Sequence, residues 1–254
     1  MPRPLSADTM VQAFASAAGP RTRLAIVDHI AAEAAIVLPL ARIAAVLHER
    51  GVAVLGDGAH APGCIALDVP SLGCDWYVAN LHKSAFVPRS SGFLWASPAR
   101  QASTHPAVIS WGLDQGFTTE FDLVGTRDAS AHLAAPAAFA FIDWLGGLTA
   151  IHAYTHDLAW RGAHMLAERW GTSFDTPREM VASMASIPLP ASLGSTRDDA
   201  ARLRDALLFD DRIEVQVHAG GGRLHVRVAA QVYNEWKDYE ALADAVVTRV
   251  GTGG

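Results

Sequence analysis

The sequence predicts an α/β protein, in which a mainly parallel sheet is followed by a smaller α+β domain. Between Leu24 and Gly56, two short apolar segments flank an amphipathic helical segment, which is typical of a βαβ unit, and two further strand-like segments follow. After Gly146-Gly147 the pattern changes to alternating apolar and polar residues around a second glycine run. A chain of 254 residues has room for two such domains, which we predict at 1–147 and 148–254.

The first domain begins with a strand–helix–strand unit. Leu24–Asp28 is a short apolar run, typical of a parallel strand that is buried on both faces. Pro39–Arg50 has proline in its first turn and is followed by Gly51, which indicates a helix. Ala53–Gly56 has the pattern of the next strand, and a right-handed crossover would make the two strands parallel neighbours.

The rest of the first domain is predicted from shorter signals. Asp75–Ala79 and Gly92–Ala96 have the pattern of strands. Residues 97–124 are rich in loop-forming residues, and Asp128 is a candidate N-cap for an apolar helix. A long amphipathic helix is then expected from about Leu148 to Trp170.

The second domain is predicted as a hairpin with packed helices. Ile213–His218 and Arg223–Val228 alternate apolar and polar residues on either side of three glycines, as hairpin strands do. Helices are predicted at Asp198–Phe209 and Lys237–Val250. The polar face of the second strand would carry Arg223, His225 and Arg227.

Composition excludes several classes of function. A net charge of -6 and a pI near 6.0 give no basic surface for nucleic acid or an anionic membrane. The most apolar stretch, Leu133–Leu148, is interrupted and too short to span a bilayer. Cys64 and Cys74 are predicted to be buried thiols, and the histidines show no metal-ligand spacing. With no signal-peptide pattern at the N-terminus, we expect a cytoplasmic protein without a metal.

Lys83 is the most informative single residue. The sequence has 20 Lys plus Arg, of which only Lys83 and Lys237 are lysines, so arginine supplies nearly every generic positive charge. A guanidinium stays protonated and is not nucleophilic, whereas a lysine amine can lose its proton and form an imine. The presence of one of only two lysines at position 83 therefore indicates imine chemistry.

Polar residues follow two of the predicted strands. Asp57 comes directly after Ala53–Gly56, and Asn80, His82 and Lys83 follow Asp75–Ala79. Open α/β sheets gather their ligands at the carboxyl ends of their strands. These side chains are therefore expected to form one site.

Four motifs together carry a resemblance to a known family. They are Asp57–Gly63, Asn80–Lys83 with Pro88 and the following Gly-Phe-Leu, Gly125–Asp128, and Arg227 with Tyr233-Asn234. In this order and spacing they resemble the class V aminotransferases, which are fold type I pyridoxal 5'-phosphate (PLP) enzymes, and most of all the isopenicillin N epimerase-like branch. The resemblance covers about Thr22 to Val247. It implies a partial fold type I large domain followed by the small α+β domain.

The resemblance assigns roles around the ring of the cofactor. Lys83 would form the internal aldimine with PLP and then move the proton at Cα of the substrate. Asp57 would pair with the pyridine nitrogen and keep it protonated, so that the ring can accept electrons. His60 would hydrogen-bond the ring hydroxyl, and Ala59 would be the small residue under the ring.

Further roles concern the phosphate and the substrate. Asn80 and His82 resemble the groups on the phosphate side of the cofactor. Thr126 matches a residue that reaches the phosphate of the partner subunit in dimers of the family. Arg227 matches the clamp for the substrate carboxylate, and a planar guanidinium suits that planar acceptor.

The resemblance implies an enzyme that acts on an amino acid or aminoacyl substrate. Epimerisation, transamination and lyase chemistry all begin at the same Cα, so the sequence leaves them open. Cysteine desulfuration is disfavoured, because it needs a nucleophilic cysteine in the C-terminal part and both cysteines precede Lys83. A homodimer is expected, or a pairing with another chain.

The chain also departs from the family at its N-terminus. Family members carry a phosphate-binding turn and a ring-stacking residue before the equivalent of Leu24–Asp28, whereas residues 1–21 supply at most one helix. We therefore expect an N-terminally truncated chain that binds PLP weakly by itself and associates with another chain. The alternative function is a catalytically silent dimerisation or binding module, or one half of a two-chain enzyme.

Overall fold

A computed structural model describes residues 5–251. Its strands are β1 Leu24–Asp28, β2 Ile30–Ala31, β3 Ile36–Val37, β4 Ala53–Asp57, β5 Trp76–Asn80, β6 Gly92–Ala96, β7 Met184–Pro188, β8 Gln216–Gly220 and β9 Arg223–Ala229. Its α-helices are α1 Ala7–Ala17, α2 Leu40–His48, α3 Pro98–Gln101, α4 Phe117–Asp122, α5 Ser130–Leu133, α6 Ala135–Trp144, α7 Gly147–Arg169, α8 Arg197–Phe209 and α9 Trp236–Gly251. Short 3₁₀ helices occur at Pro70–Leu72, Arg178–Met180 and Ala191–Leu193.

The chain forms two compact units. The first contains the described residues up to Ile30 and Leu38–Leu148, and the second contains Ala31–Val37 and the described residues from Thr149 onward. The division into 1–147 and 148–254 remains our proposal for the domains, and residues 1–4 and 252–254 of those ranges lie outside the described part.

The first unit is built on a four-stranded sheet in the order β1-β4-β5-β6. β1 pairs with β4 and β4 with β5 in parallel, whereas β6 is antiparallel to β5. Helix α2 connects β1 to β4 and contacts both strands, as the predicted βαβ unit requires. This confirms the α/β fold with a mainly parallel sheet.

The expectation that Leu24–Asp28 is buried on both faces is wrong. Leu24 is 48% exposed and Ile26 67% exposed, whereas Val27 is buried. Alternate residues of a strand point to opposite faces, so Leu24 and Ile26 share one face of β1 and Val27 lies on the other. At β1, the edge strand of the sheet formed by the described residues, only the Val27 face packs on the core. The apolar composition of a strand does not tell a central position from an edge.

The buried face of this sheet packs very closely. Tyr77 of β5 is completely buried, and a Cβ placed on the neighbouring Gly56 would lie 2.7 Å from its ring. Helix α2 adds the buried side chains of Leu40, Ile43 and Leu47. The ring of Tyr77 therefore fixes how β4 and β5 pack, just below the ends that carry the polar residues.

The segment after β6 differs from its prediction in two ways. The stretch predicted as loop, residues 97–124, contains the short helices α3 and α4. The single helix expected from Asp128 is divided into α5 and α6, and Pro136 lies in the first turn of α6. Asp128 does not occupy the N-cap position, which is Ala129, although its Oδ1 accepts a hydrogen bond of 2.8 Å from the Ser130 amide.

The second unit contains a three-stranded antiparallel sheet in the order β7-β9-β8. The β8–β9 hairpin turns at Gly221-Gly222, whose φ angles of +60° and +78° suit glycine in a two-residue turn. Helices α7, α8 and α9 and the three strands share one apolar core. Its fully buried members include Leu166, Ile187, Leu207, Leu224 and Val246.

No single helix in the described part of the chain is both long enough and apolar enough to cross a membrane. The consecutive segments Ser130–Trp144 and Gly147–Arg169 reach that length and apolar character only together, and the chain bends by 70° between them.

Asp75 holds together the end of the sheet opposite the polar residues. It is 9% exposed and accepts hydrogen bonds from the Val54 amide at 2.7 Å, His48 Nε2 at 2.8 Å and Arg100 Nε at 2.7 Å. Burial alone would raise the pKa of Asp75, but the hydrogen bonds from Val54, Arg100 and His48 hold the pKa below its ordinary value. The carboxylate thus ties β4, α2 and α3 to the start of β5.

Replacing Asp75 with asparagine should lower the free energy of unfolding by about 2–3 kcal/mol at pH 7, because a buried charge-assisted network is lost. The folded pKa of Asp75 is lowered, so its stabilisation is present above the unfolded pKa of about 3.9 and is lost as the pH falls through the folded pKa. Urea unfolding across pH 3–7 measures this. The control is Asp205→Asn, which removes an exposed ion pair with Arg204. If the loss of unfolding free energy in Asp75→Asn does not change with pH, the result would contradict the network.

Candidate active site

Asp57 stands at the carboxyl edge of the sheet of the first unit. It is the last residue of β4, and the parallel neighbour β5 ends at Asn80. Asp57 Oδ1 accepts a hydrogen bond of 2.9 Å from the Ala59 amide, and the Gly58 amide donates to the Val78 carbonyl at 2.7 Å. These bonds fix the direction in which the chain leaves β4.

The turn after β4 also requires a glycine. A Cβ on Gly58 would lie 2.1 Å from the hydroxyl oxygen of Tyr77. That hydroxyl lies 2.9 Å from His29 Nδ1, and burial lowers the pKa of His29 to about 4. Burial, followed by the nearby Cys74 and Asp57, raises the pKa of Tyr77. The His29–Tyr77 pair is therefore uncharged at neutral pH and forms a rigid base beneath the turn.

The structure brings Lys83 to the turn of Asp57. Lys83 lies in the exposed turn after β5, and its Nζ donates to His60 Nε2 across 3.1 Å. His60 lies three residues after Asp57. Two motifs that are 23 residues apart in the chain are thus in direct contact.

The two turns are also packed against each other through Ser84. Gly63 has φ of +82°, and a Cβ there would lie 2.3 Å from the Ser84 carbonyl oxygen. The buried Cys64 Sγ donates to Ser84 Oγ at 3.0 Å. Ser84, the residue that follows Lys83, is therefore packed against Gly63 and hydrogen-bonded by Cys64. The prediction that Cys64 is a buried thiol is confirmed.

Asp28 is a site neighbour that the sequence reasoning missed. It is the last residue of β1 and lies in register with Asp57. Burial and the charge of Asp57 raise the pKa of Asp28, whereas the charge of Lys83 lowers it. Two carboxylates and one amine therefore share this edge of the sheet. The sequence carried a signal for this position, because Asp28 ends its strand just as Asp57 ends the neighbouring strand.

Other predicted residues have different surroundings. His82 Nδ1 donates to the Ser91 carbonyl at 2.9 Å, which fixes its ring beside β6. Asn80 is half-buried at the end of β5, opposite Gly92. Thr126 lies in the exposed loop between α4 and α5 and takes no part in the contacts above. Arg227 belongs to β9 in the second unit, where its Nη1 donates to the Ala32 carbonyl at 2.7 Å.

The side chains on this edge match what PLP would require. Asp57 offers a carboxylate for a protonated ring nitrogen, and Lys83 offers an amine for an aldehyde. His60 offers an imidazole in contact with Lys83. Ala59, a small residue, is half-buried in the same turn. In the described part of the chain, no group of three or more His, Cys, Asp or Glu is arranged to hold a metal ion.

Comparison with known sequences shows the family. The sequence model of "Aminotransferase class-V" matches residues 6–220. The chain is 35% identical to a probable chloroplastic L-cysteine desulfhydrase of Arabidopsis thaliana over 95% of this chain and 55% of that protein. It is 32% identical to isopenicillin N epimerase of Streptomyces clavuligerus over 94% of this chain and 63% of that protein. The chain belongs to the class V aminotransferase family, and it spans little more than half to under two thirds of these relatives.

Solved structures show the same fold. The apo structure of a cysteine desulfurase from Thermococcus onnurineus NA1 matches with a TM-score of 0.75 and 19% identity, over 98% of this chain and 64% of that one. A C-DES variant with glycine covalently linked to its PLP cofactor matches with a TM-score of 0.74 and 21% identity, over 96% of this chain and 64% of that one. The fold is therefore that of fold type I PLP enzymes, as the sequence predicted.

Gly63→Ala tests the packing of the two turns. Both Gly63 and Gly51 have positive φ, but only Gly63 has an atom close to the position of an added Cβ. Gly51→Ala should cost about 1 kcal/mol of unfolding free energy for its backbone conformation. Gly63→Ala should cost a further 1–3 kcal/mol or so from overpacking. Denaturant unfolding gives both values, and equal losses would show that the turn of Lys83 is not packed on Gly63.

Proposed function

We propose that this chain carries the PLP site of an enzyme that acts at Cα of an amino acid or aminoacyl substrate. The observation that carries the proposal is the 3.1 Å contact between Lys83 Nζ and His60 Nε2, three residues beyond Asp57. It unites an amine, an imidazole and a carboxylate at the carboxyl edge of an α/β sheet, where such sheets bind ligands. Membership of the class V family supports this assignment.

Each residue of the site has a distinct task in this proposal. When bound, PLP supplies an electron-withdrawing ring that weakens the bonds at Cα of an attached amino acid. Asp57 would accept a hydrogen bond from the ring nitrogen, and His60 would hydrogen-bond the ring hydroxyl. Lys83 would hold the cofactor through its amine and would move the proton at Cα of the substrate. Ala59 would be the small residue under the ring.

The remaining predicted residues would bind the outer groups. Asn80 and His82 are proposed for the phosphate side, and Nε2 of His82 can face a ligand because Nδ1 is committed to Ser91. Thr126, in an exposed loop, is proposed to reach the phosphate of a partner subunit. Arg227 is proposed to bind the substrate carboxylate through its planar guanidinium.

The reaction is proposed as epimerisation, transamination or a lyase reaction. Relatives named isopenicillin N epimerase and L-cysteine desulfhydrase support chemistry that begins at Cα of an amino acid. Both described cysteines, Cys64 and Cys74, are buried. A reaction that uses a surface cysteine as nucleophile is therefore disfavoured. The cytoplasmic location of the protein stays a prediction.

A second candidate function is a pairing module or one half of a two-chain enzyme. The exposed Leu24 and Ile26 on the edge strand β1 favour it, because an apolar strand with an open edge can pair with another segment. Exposed Leu133 and Trp144 on α5 and α6 add apolar surface to the same unit. Under this reading the chain binds PLP weakly by itself and forms an oligomer.

Lys83 should be the residue that PLP modifies. Borohydride reduction of the PLP-treated protein and peptide mapping should locate the pyridoxyl group on Lys83, and Lys83→Ala should abolish the label. Lys237 is the control, since the hydrogen bond and charge of Glu235 raise the pKa of Lys237 and keep it protonated. Label on Lys237 or on the N-terminal amine would refute the assignment.

Asp57→Asn should weaken PLP binding. Losing a charge-assisted hydrogen bond to the ring nitrogen costs about 1.5–3 kcal/mol, which raises the dissociation constant about ten- to a hundredfold. A PLP titration followed by absorbance measures the constant. The exposed Asp68 serves as a matched control, and Asp68→Asn should bind PLP as the parent does. Unchanged affinity in Asp57→Asn would exclude the role of Asp57.

A further inference from the structure

One face of the sheet in the second unit carries an ordered set of polar side chains. Arg227 on β9 lies opposite Ser186 on β7 and Gln216 on β8. Two residues earlier, His225 lies opposite His218, and the two imidazole rings stack with centroids 5.4 Å apart. Since side chains two residues apart share a face, Arg227 and His218 are diagonal neighbours on that face.

Nε of Arg227 and Nδ1 of His218 lie on this face, and both are buried without a hydrogen-bond partner among the described residues. Arg227 does use Nη1, which donates to the Ala32 carbonyl at 2.7 Å and so holds the guanidinium in place. A buried donor left unsatisfied costs free energy, so a ligand that accepts hydrogen bonds from both residues is favoured here.

The positive charge of Arg227 favours an anion beside these nitrogens, and the nearby carboxylate of Glu33 offsets part of that charge. Burial lowers the pKa of Arg227, and the charge of Glu33 opposes this, so the guanidinium is partly desolvated. Burial and the nearby Arg227 lower the pKa of His218, again opposed by Glu33. His218 is therefore neutral at pH 7 and can donate from Nδ1. Glu33 is exposed, and it influences both groups without an ion pair to either.

We propose that His218 is a second carboxylate-binding residue, which acts beside Arg227 and determines which small carboxylates bind on this face of the sheet. One carboxylate would accept hydrogen bonds from Nε of Arg227 and from Nδ1 of His218. The competing explanation is that His218 only packs on His225 as a cross-strand pair. The inference rests on the proposed function in one respect, namely that the carboxylate belongs to the amino acid substrate.

The first test needs no cofactor. The histidine side chains of the full ¹⁵N-labelled chain are titrated by NMR with sodium propionate, with sodium chloride at equal ionic strength as the control. Propionate should shift the Nδ1 resonance of His218 in a saturable way and raise the pKa of His218, because a carboxylate in contact favours the protonated imidazole. If the Nδ1 resonance and the pKa of His218 stay unchanged at propionate concentrations that shift the resonances of Arg227, the proposal is overturned.

Variants then separate His218 from Arg227. His218→Gln should weaken propionate binding about five- to tenfold, and Arg227→Gln should weaken it more. His164→Gln is the matched control, because His164 lies on α7 and makes edge-to-face ring contacts with Trp160 and Phe174. Parent-like binding by His218→Gln would overturn the inference. That failure leaves the labelling of Lys83 untouched, so it is distinguishable from a failure of the proposed function.

Discussion

The candidate site depends on the close packing of two turns at the carboxyl edge of one sheet. The turn after β4 carries Asp57 and His60, and the turn after β5 carries Lys83. Gly58 lies against Tyr77 and Gly63 against Ser84, each so closely that a Cβ would overlap its neighbour. A lysine side chain has high rotational entropy, and this packing limits how far its backbone moves. The amine therefore stays within reach of the turn that carries Asp57 and His60.

Charge balance at this edge follows from the same geometry. Parallel pairing puts Asp28 and Asp57 side by side, which disfavours two full negative charges, and Lys83 offsets that repulsion. The neutral His29–Tyr77 pair beneath adds no charge of its own. In the second unit, Arg227 and His218 lie on a sheet face with buried nitrogens, so an anionic group is favoured there.

Most strands and helices and the candidate site around Lys83 could be predicted from the sequence, because the signals for them are local. The apolar run Leu24–Asp28, the glycine hairpin at 220–222 and the rare lysine each specify an element or a chemistry within a few residues. What could not be predicted depends on tertiary position. The edge location of β1, the division of the helix at Ala134 and strand β7 are of this kind, since a five-residue run ending in Pro188 has no strong strand signal. Asp28 is a different case, because its place at the end of a strand was visible in the sequence and only the register shows that it pairs with Asp57.

The central claim is that Asp57, His60 and Lys83 form one PLP site, and a crystal structure of the chain with saturating PLP tests it most directly. The account predicts the ring nitrogen about 2.7–3.2 Å from the Asp57 carboxylate, with the aldehyde carbon joined to Nζ of Lys83. Cofactor density away from Asp57, with Lys83 still hydrogen-bonded to His60, would contradict it.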